Sequence, residues 1–212
     1  MKTKTAILIL AFFYSLTISG QGKITITKLN STNLPKNLKY KGSIKEAIRW
    51  TDKFGDNIVI TSETGEYQSK SRKEDTFRDA ELFAYHFIIK KDTIVQIWKV
   101  YDFINECPVE IEANFINNTL QVTDLNDDNI GEIWLMYKKV CHGDVSPSDM
   151  KVIMYQGQQK YEMVGQKKIV MADKKTYGGD YKFDKAFIDG PTIYKDFAKK
   201  LWDKNIMQTW GD

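Results

Sequence analysis

Histidine is scarce in this chain: His86 and His142 are the only two among 212 residues. They stand far apart, with no HExxH or similar spacing, which argues against a zinc enzyme. There is no GxSxG, no phosphate-cradling glycine loop and no dinucleotide fingerprint. Proline is rare too, with four residues, and neither a proline-rich linker nor a low-complexity tract divides the chain. Nor does one sign of charge dominate: 31 Lys and Arg face 28 Asp and Glu. Taking the two lysines of the N-terminal segment from the 31 leaves 29 basic residues against 28 acidic. The rest of the chain is nearly neutral and shows no basic stripe for nucleic acid.

Long apolar runs are missing as well, save one at the start. Lys2 and Lys4 precede an apolar run from Ala6 to Ile18, followed by Ser19, Gly20 and Gln21. That layout is a secretory signal peptide, residues 1–20, too short to span a bilayer comfortably. No cysteine stands near the expected cleavage point, which argues against a lipoprotein anchor. No later stretch is apolar enough for a membrane span after cleavage. The expected location is therefore the periplasm, or the secreted or cell-surface fraction. Residues 21–212, with 42% hydrophobic composition over the full chain, suffice for one β-rich domain with one core. In an exported protein the even pair Cys107 and Cys141 is a candidate disulfide.

The pattern of most segments alternates with period two. Strands are expected at 23–29, 109–115, 120–125, 132–140 and 150–164, and a long hairpin at 80–104 around "KKDT". Residues 56–70 read as a strand, a Gly-bearing turn and a second strand. "GSIKEAIRWTDKFG" reads as a helix, with Ser43 and Glu46 as a capping box and Ile44, Ala47 and Ile48 on one face. "DGPTIYKDFAKKLWDKN" reads as a C-terminal helix over about 191–205, its stripe Tyr194, Phe197, Ala198 and Leu201 facing a sheet. Segments 141–150 and 171–187 read as structured loops. The expected fold is mainly β: an antiparallel meander, propeller-blade-like or in sandwich sheets, with two peripheral α-helices.

The densest polar stretch is "DLNDDNIGEIW", residues 124–134. Asp124, Asn126, Asp128 and Glu132 fall at positions one, three, five and nine, and Ile130 at position seven offers a backbone carbonyl. Alternate oxygens on a tight loop suit a hard cation such as calcium. Asn129 at position six tolerates positive φ. Position twelve is Leu135 and strands flank the loop, so an EF-hand is excluded. The loop resembles the calcium loops of FG-GAP and VCBS repeats, with Glu132 for the last Asp and Asn129 for the Gly. "DKFGDNIVI" from Asp52 is a faint echo of it, 72 residues earlier, without the ligand set.

"DLNDDNIGEIWLMYKKVCHGDVSPSDMKVIMY", together with "WTDKFGDNIVI" and "FAKKLWDKN", resembles a family of exported Bacteroidota proteins labelled surface polysaccharide biosynthesis proteins. The resemblance implies a role in lipopolysaccharide or capsule production and supplies no catalytic residues. Cys141 beside His142 invites a nucleophile–base reading, but neighbours on an extended chain point to opposite faces. His86, in "AYHFII", reads as structural or surface-facing. Trp98 and Trp134 read as core, and Trp210 as the tryptophan most open to a ligand. The expected function is a calcium-binding accessory protein of the envelope, non-enzymatic, whose partner is an envelope glycan or an envelope protein. A secreted carbohydrate-active hydrolase and a purely structural calcium-stabilised module are the alternatives.

Overall fold

The computed structural model describes residues 24–30, 32–71, 76–91 and 93–208. The expected signal peptide, residues 1–20, and Trp210 lie outside the described residues. Among the described residues, thirteen strands and two helices follow one another. The first five strands are β1 (Ile26–Leu29), β2 (Ser43–Asp52), β3 (Gly55–Gln68), β4 (Arg78–Lys90) and β5 (Thr93–Cys107). They form an antiparallel meander, sheet A, in the order β1-β2-β3-β4-β5. Sheet B contains β6 (Glu110–Phe115), β8 (Glu132–His142), β9 (Asp149–Gln156), β10 (Gln159–Gln166) and β13 (Tyr181–Phe183), in the order β13-β10-β9-β8-β6. The short β7 (Gln121–Thr123) pairs with β8 beyond the end of β6. A two-stranded hairpin, β11 (Lys168–Val170) with β12 (Thr176–Gly178), stands apart from both sheets. Helices α1 (Lys185–Asp189) and α2 (Thr192–Asn205) complete the chain. The mainly β expectation with two helices holds, as a sandwich.

Alternation explains the layering. Val59, Leu82, Ala84 and Val100 of sheet A meet Ile133, Leu135 and Ile153 of sheet B in a central core. Residues one position away face outward from each sheet. From β8 and β9, Trp134, Met136, Val152 and Met154 pack under Tyr194, Ala198, Leu201 and Trp202 of α2. From β3 and β4, Ile58, Ile60, Phe83 and Tyr85 form a third cluster with Leu38. The C-terminal helix thus lies where expected, with its stripe on a sheet.

The expected first helix is instead strand β2. Ile44 and Ala47 are three residues apart yet pack on the same outer cluster. The register of β2 against β3 shifts between Ile44 and Glu46, so one extra residue is inserted there. A bulge converts same-face spacing from two to three, and that mimics a helical period. Pairing with both β1 and β3 then outweighs the capping box. In the stretch 56–70 there is likewise one strand, β3, ending at Gln68, and not two. Gly65, at φ 67°, absorbs a register shift between Glu63 and Glu66 while β3 continues. The expected loop at 171–187 contains β12, β13 and the start of α1.

Several ties join the two sheets, a disulfide and a shared carboxylate among them. Cys107, at the end of β5, is bonded to Cys141 in β8, with Cα atoms 5.7 Å apart. Asp102 on β5 reaches across to sheet B, accepting from Tyr137 Oη at 2.8 Å and from the Lys139 and Lys151 ammonium groups at 2.5 and 3.0 Å.

Candidate functional site

The acidic loop leaves β7 at Thr123 and enters β8 at Glu132. Asp127 and Asn129, at φ 55° and 61°, curl it. The curl lets Asp124 collect two backbone donors: Asp128 N–H at 3.0 Å on Oδ1 and Asn129 N–H at 3.1 Å on Oδ2. Asp128 Oδ1 accepts from Ile130 N–H at 2.8 Å. Its Oδ2 accepts from Asn126 Nδ2 and Gln156 Nε2, each at 2.8 Å. Asp124, Asn126, Asp128 and Ile130 are therefore gathered in one turn.

Glu132 sits beneath that turn with none of its surface exposed. It accepts from Thr123 Oγ1 at 2.7 Å and Leu125 N–H at 2.9 Å. Thr123 in turn receives Trp134 Nε1 at 2.8 Å. Burial pushes the Glu132 carboxyl above its ordinary range, and the Thr123 and Leu125 hydrogen bonds oppose the shift. Burial next to Glu132 also pushes the Tyr194 hydroxyl up. The repulsion of this cluster is thus relieved largely by N–H and O–H donors from the chain itself. Each carboxylate oxygen retains acceptor capacity beyond those bonds. Among the described residues, no three or more His, Cys, Asp or Glu side chains converge as a metal-binding group.

The Asp52 turn lies against this loop. Lys53 N–H donates to Asn129 O at 2.8 Å, and Gly131 N–H to Asp52 Oδ2 at 3.0 Å. Asp52 also accepts from Trp50 Nε1, Phe54 N–H and Asn57 Nδ2, each at 2.9 Å. Asn57 Oδ1 meets His86 Nε2 at 2.9 Å. His86 is 3% exposed and stacks against Trp50, with Trp98 on it at a tilt. Burial lowers its pKa to about 4, against the pull of Asp52. A perturbed histidine in a cleft marks an active site, but this one is sealed in the core and structural. The echo of "DLNDDNIGEI" in "DKFGDNIVI" was the one signal in the sequence for this contact.

Cys141 is oxidised in the disulfide, so no thiolate is there to act with His142. Trp98 and Trp134 are 8% and 0% exposed, in the core as expected. Tyr101 and Phe103, on the outer face of sheet A, are exposed. They stack on each other at 5.3 Å, and Tyr101 also on Phe83 at 5.2 Å.

A different surface was not legible in the sequence. Three adjoining cavities, of about 540, 310 and 360 Å³, wrap around the 116–120 connection between β6 and β7. Asn117 lines all three. Six lysines line them: Lys28 from β1, Lys45 from β2, Lys138 from β8, Lys167 after β10, and Lys200 and Lys204 from α2. Glu46 is the one acidic residue of the lining. Lys45 and Lys138 have carboxylate partners in Glu63 (3.3 Å) and Glu112 (3.0 Å). Lys200 and Lys204 form no ion pair among the described residues. The carboxamides of Asn114, Asn117, Asn118, Gln121 and Asn205 complete the groove. These lysines come from five separate segments, so sequence spacing gave no hint of them. Compared with known proteins, the chain matches no protein-family model, no curated protein and no solved structure.

Proposed function

We propose that this is an exported, non-enzymatic accessory protein of the cell envelope that binds an acidic polysaccharide in the lysine groove. The observation that carries this reading is the convergence of six lysines and five carboxamides around 116–120. A shallow, extended cationic groove suits a chain with repeated carboxylate or phosphate groups. The carboxamides both donate and accept, as sugar hydroxyls require. The cavity sizes fall in the range of small-ligand sites, so each suits a short segment of glycan. The perturbed histidine of an active cleft is not on offer here, since His86 lies inside the core. A role in surface polysaccharide biosynthesis fits the resemblance of the sequence and an exported location.

Calcium binding at Asp124, Asn126, Asp128, Ile130 and Glu132 is a second part of the reading. What supports it is the gathering of three oxygen-bearing side chains in one turn curled by Asp127 and Asn129. A cation there acts on stability, holding the loop that abuts the Asp52 turn.

A glycan array tests the main claim. Uronate-rich or phosphorylated glycans should bind, weakening with salt as screened charges do, and neutral glycans should not. Lys200→Glu with Lys204→Glu should weaken binding at least tenfold. Equal binding of neutral glycans, or release of reducing sugar, would overturn the reading; the latter would favour a hydrolase.

A further inference from the structure

The β11–β12 hairpin is built in a way that the sandwich does not need. Its base is clamped. Lys167 N–H donates to Ser148 O at 2.9 Å, Lys168 N–H to Ile206 O at 2.7 Å, and Gln208 N–H to Lys168 O at 2.9 Å. Gln166 N–H also donates to Asp180 O and Gly179 N–H to Gln166 O, both at 3.1 Å. Ile169, 4% exposed, anchors the base in the protein.

Beyond that base the chain is open. Every residue from Val170 to Gly178 is exposed. Val170 is 50% exposed, Met171 36% and Tyr177 51%. Val170 pairs with Thr176 and Ile169 with Tyr177, so Val170 and Tyr177 project from opposite faces of the ribbon. Met171 lies in the turn between them. A strand edge that merely borders water keeps polar residues outward. Here both faces and the tip carry apolar side chains.

Charge surrounds them. Lys174 and Lys175 lie in the tip, Lys168 stands at the base and Lys182 follows on β13, against Asp173 and Asp180. Asp173 and Lys175 offset each other: Asp173 accepts from Lys175 N–H at 3.1 Å and pairs with its ammonium at 2.8 Å, which leaves Lys168, Lys174 and Lys182 against Asp180. An apolar tip that enters an acyl boundary, ringed by cations that meet anionic headgroups, is the chemistry of interfacial docking. We infer that the β11–β12 hairpin is a membrane-docking finger that inserts Val170 and Met171 into an anionic lipid surface, with the exposed Tyr177 nearer its base. The rigid base fixes how the sandwich stands on that surface. This inference is independent of the lysine groove.

Vesicle co-sedimentation tests it, with the full chain and phosphatidylglycerol–phosphatidylcholine vesicles set against phosphatidylcholine alone. The wild-type chain should sediment with the anionic vesicles and at least tenfold less with the neutral ones. Val170→Asp with Met171→Asp, and separately Lys174→Glu with Lys175→Glu, should each lower anionic-vesicle binding at least tenfold. All these chains carry the same N-terminus, so residues 1–23 contribute equally. Because the substituted side chains are exposed, melting temperatures should match the wild type, which separates lost docking from lost fold. Binding without preference for anionic lipid, or undiminished in either double variant, would overturn the inference. So would a concentration-dependent dimer abolished by Val170→Asp with Met171→Asp, since the finger would then belong to a second copy.

Discussion

The Gly131 amide donates to Asp52 Oδ2 at 3.0 Å, across 79 positions of the chain. This bond joins the turn between β2 and β3 of sheet A to the acidic loop entering β8 of sheet B. A Cβ at position 131 would lie 2.7 Å from Val122 Cγ1 and 2.9 Å from Trp50 Nε1. Gly131→Ala gains roughly 0.4–1 kcal/mol from a stiffer unfolded chain. Overpacking at those distances costs about 1–3 kcal/mol. The clash wins, and urea denaturation should show a net loss of stability. A midpoint at or above that of the wild type would refute the contact.

Calcium and hydrogen bonding are separable at Asp124. Asp124→Ala orphans the N–H groups of Asp128 and Asn129, which costs on the order of 1–2 kcal/mol with or without a metal. With calcium bound, the loss measured in calcium should exceed the loss in chelator, because ligation adds to native stability. Equal losses in the two buffers would assign the carboxylate to hydrogen bonding alone.

Reducing the Cys107–Cys141 bond opens a loop of about 35 residues and should cost roughly 3–4 kcal/mol in the chain-entropy model. It also releases β5 from β8. Thermal melts with and without reductant check this. A reductant-insensitive melting temperature would show that the packed core and the hydrogen bonds between the sheets hold them without the disulfide.

Acid should destabilise the fold in two windows. Burial lowers the His86 pKa to about 4 from 6.5, so between those values the unfolded chain binds a proton that the native state refuses. Stability present above about pH 6.5 is lost as pH falls towards 4, by about 3 kcal/mol. Burial pushes the Asp102 carboxyl up, but hydrogen bonds from Lys139, Tyr137 and Lys151 outweigh it and set the pKa at about 2. That contribution is present above the unfolded value and lost below about pH 4. Glu132, raised by burial, acts the other way, losing stability as pH rises past its ordinary range. Urea midpoints at pH 7, 5 and 3 should therefore fall stepwise. His86→Phe should flatten the first step and Asp102→Asn the second.

Period-two alternation was enough to place β4 and β5 around their turn, β6, β8, β9 and β10, because it reports directly on one buried and one outward face. The helical stripe of α2 was equally plain. The bulge in β2 was hidden, since an inserted residue makes Ile44 and Ala47 look helical until the partner strand is seen. The oxygens of the acidic loop were countable in the sequence, but their donors were not: Gln156 comes from β9, and Glu132 turns inward towards Thr123. The lysine groove was decided by tertiary structure alone, and the Asp52–Gly131 bond had only the faint echo in "DKFGDNIVI" to announce it. Spacing along a chain encodes which face a side chain takes, whereas only the packing of two sheets decides which distant faces meet.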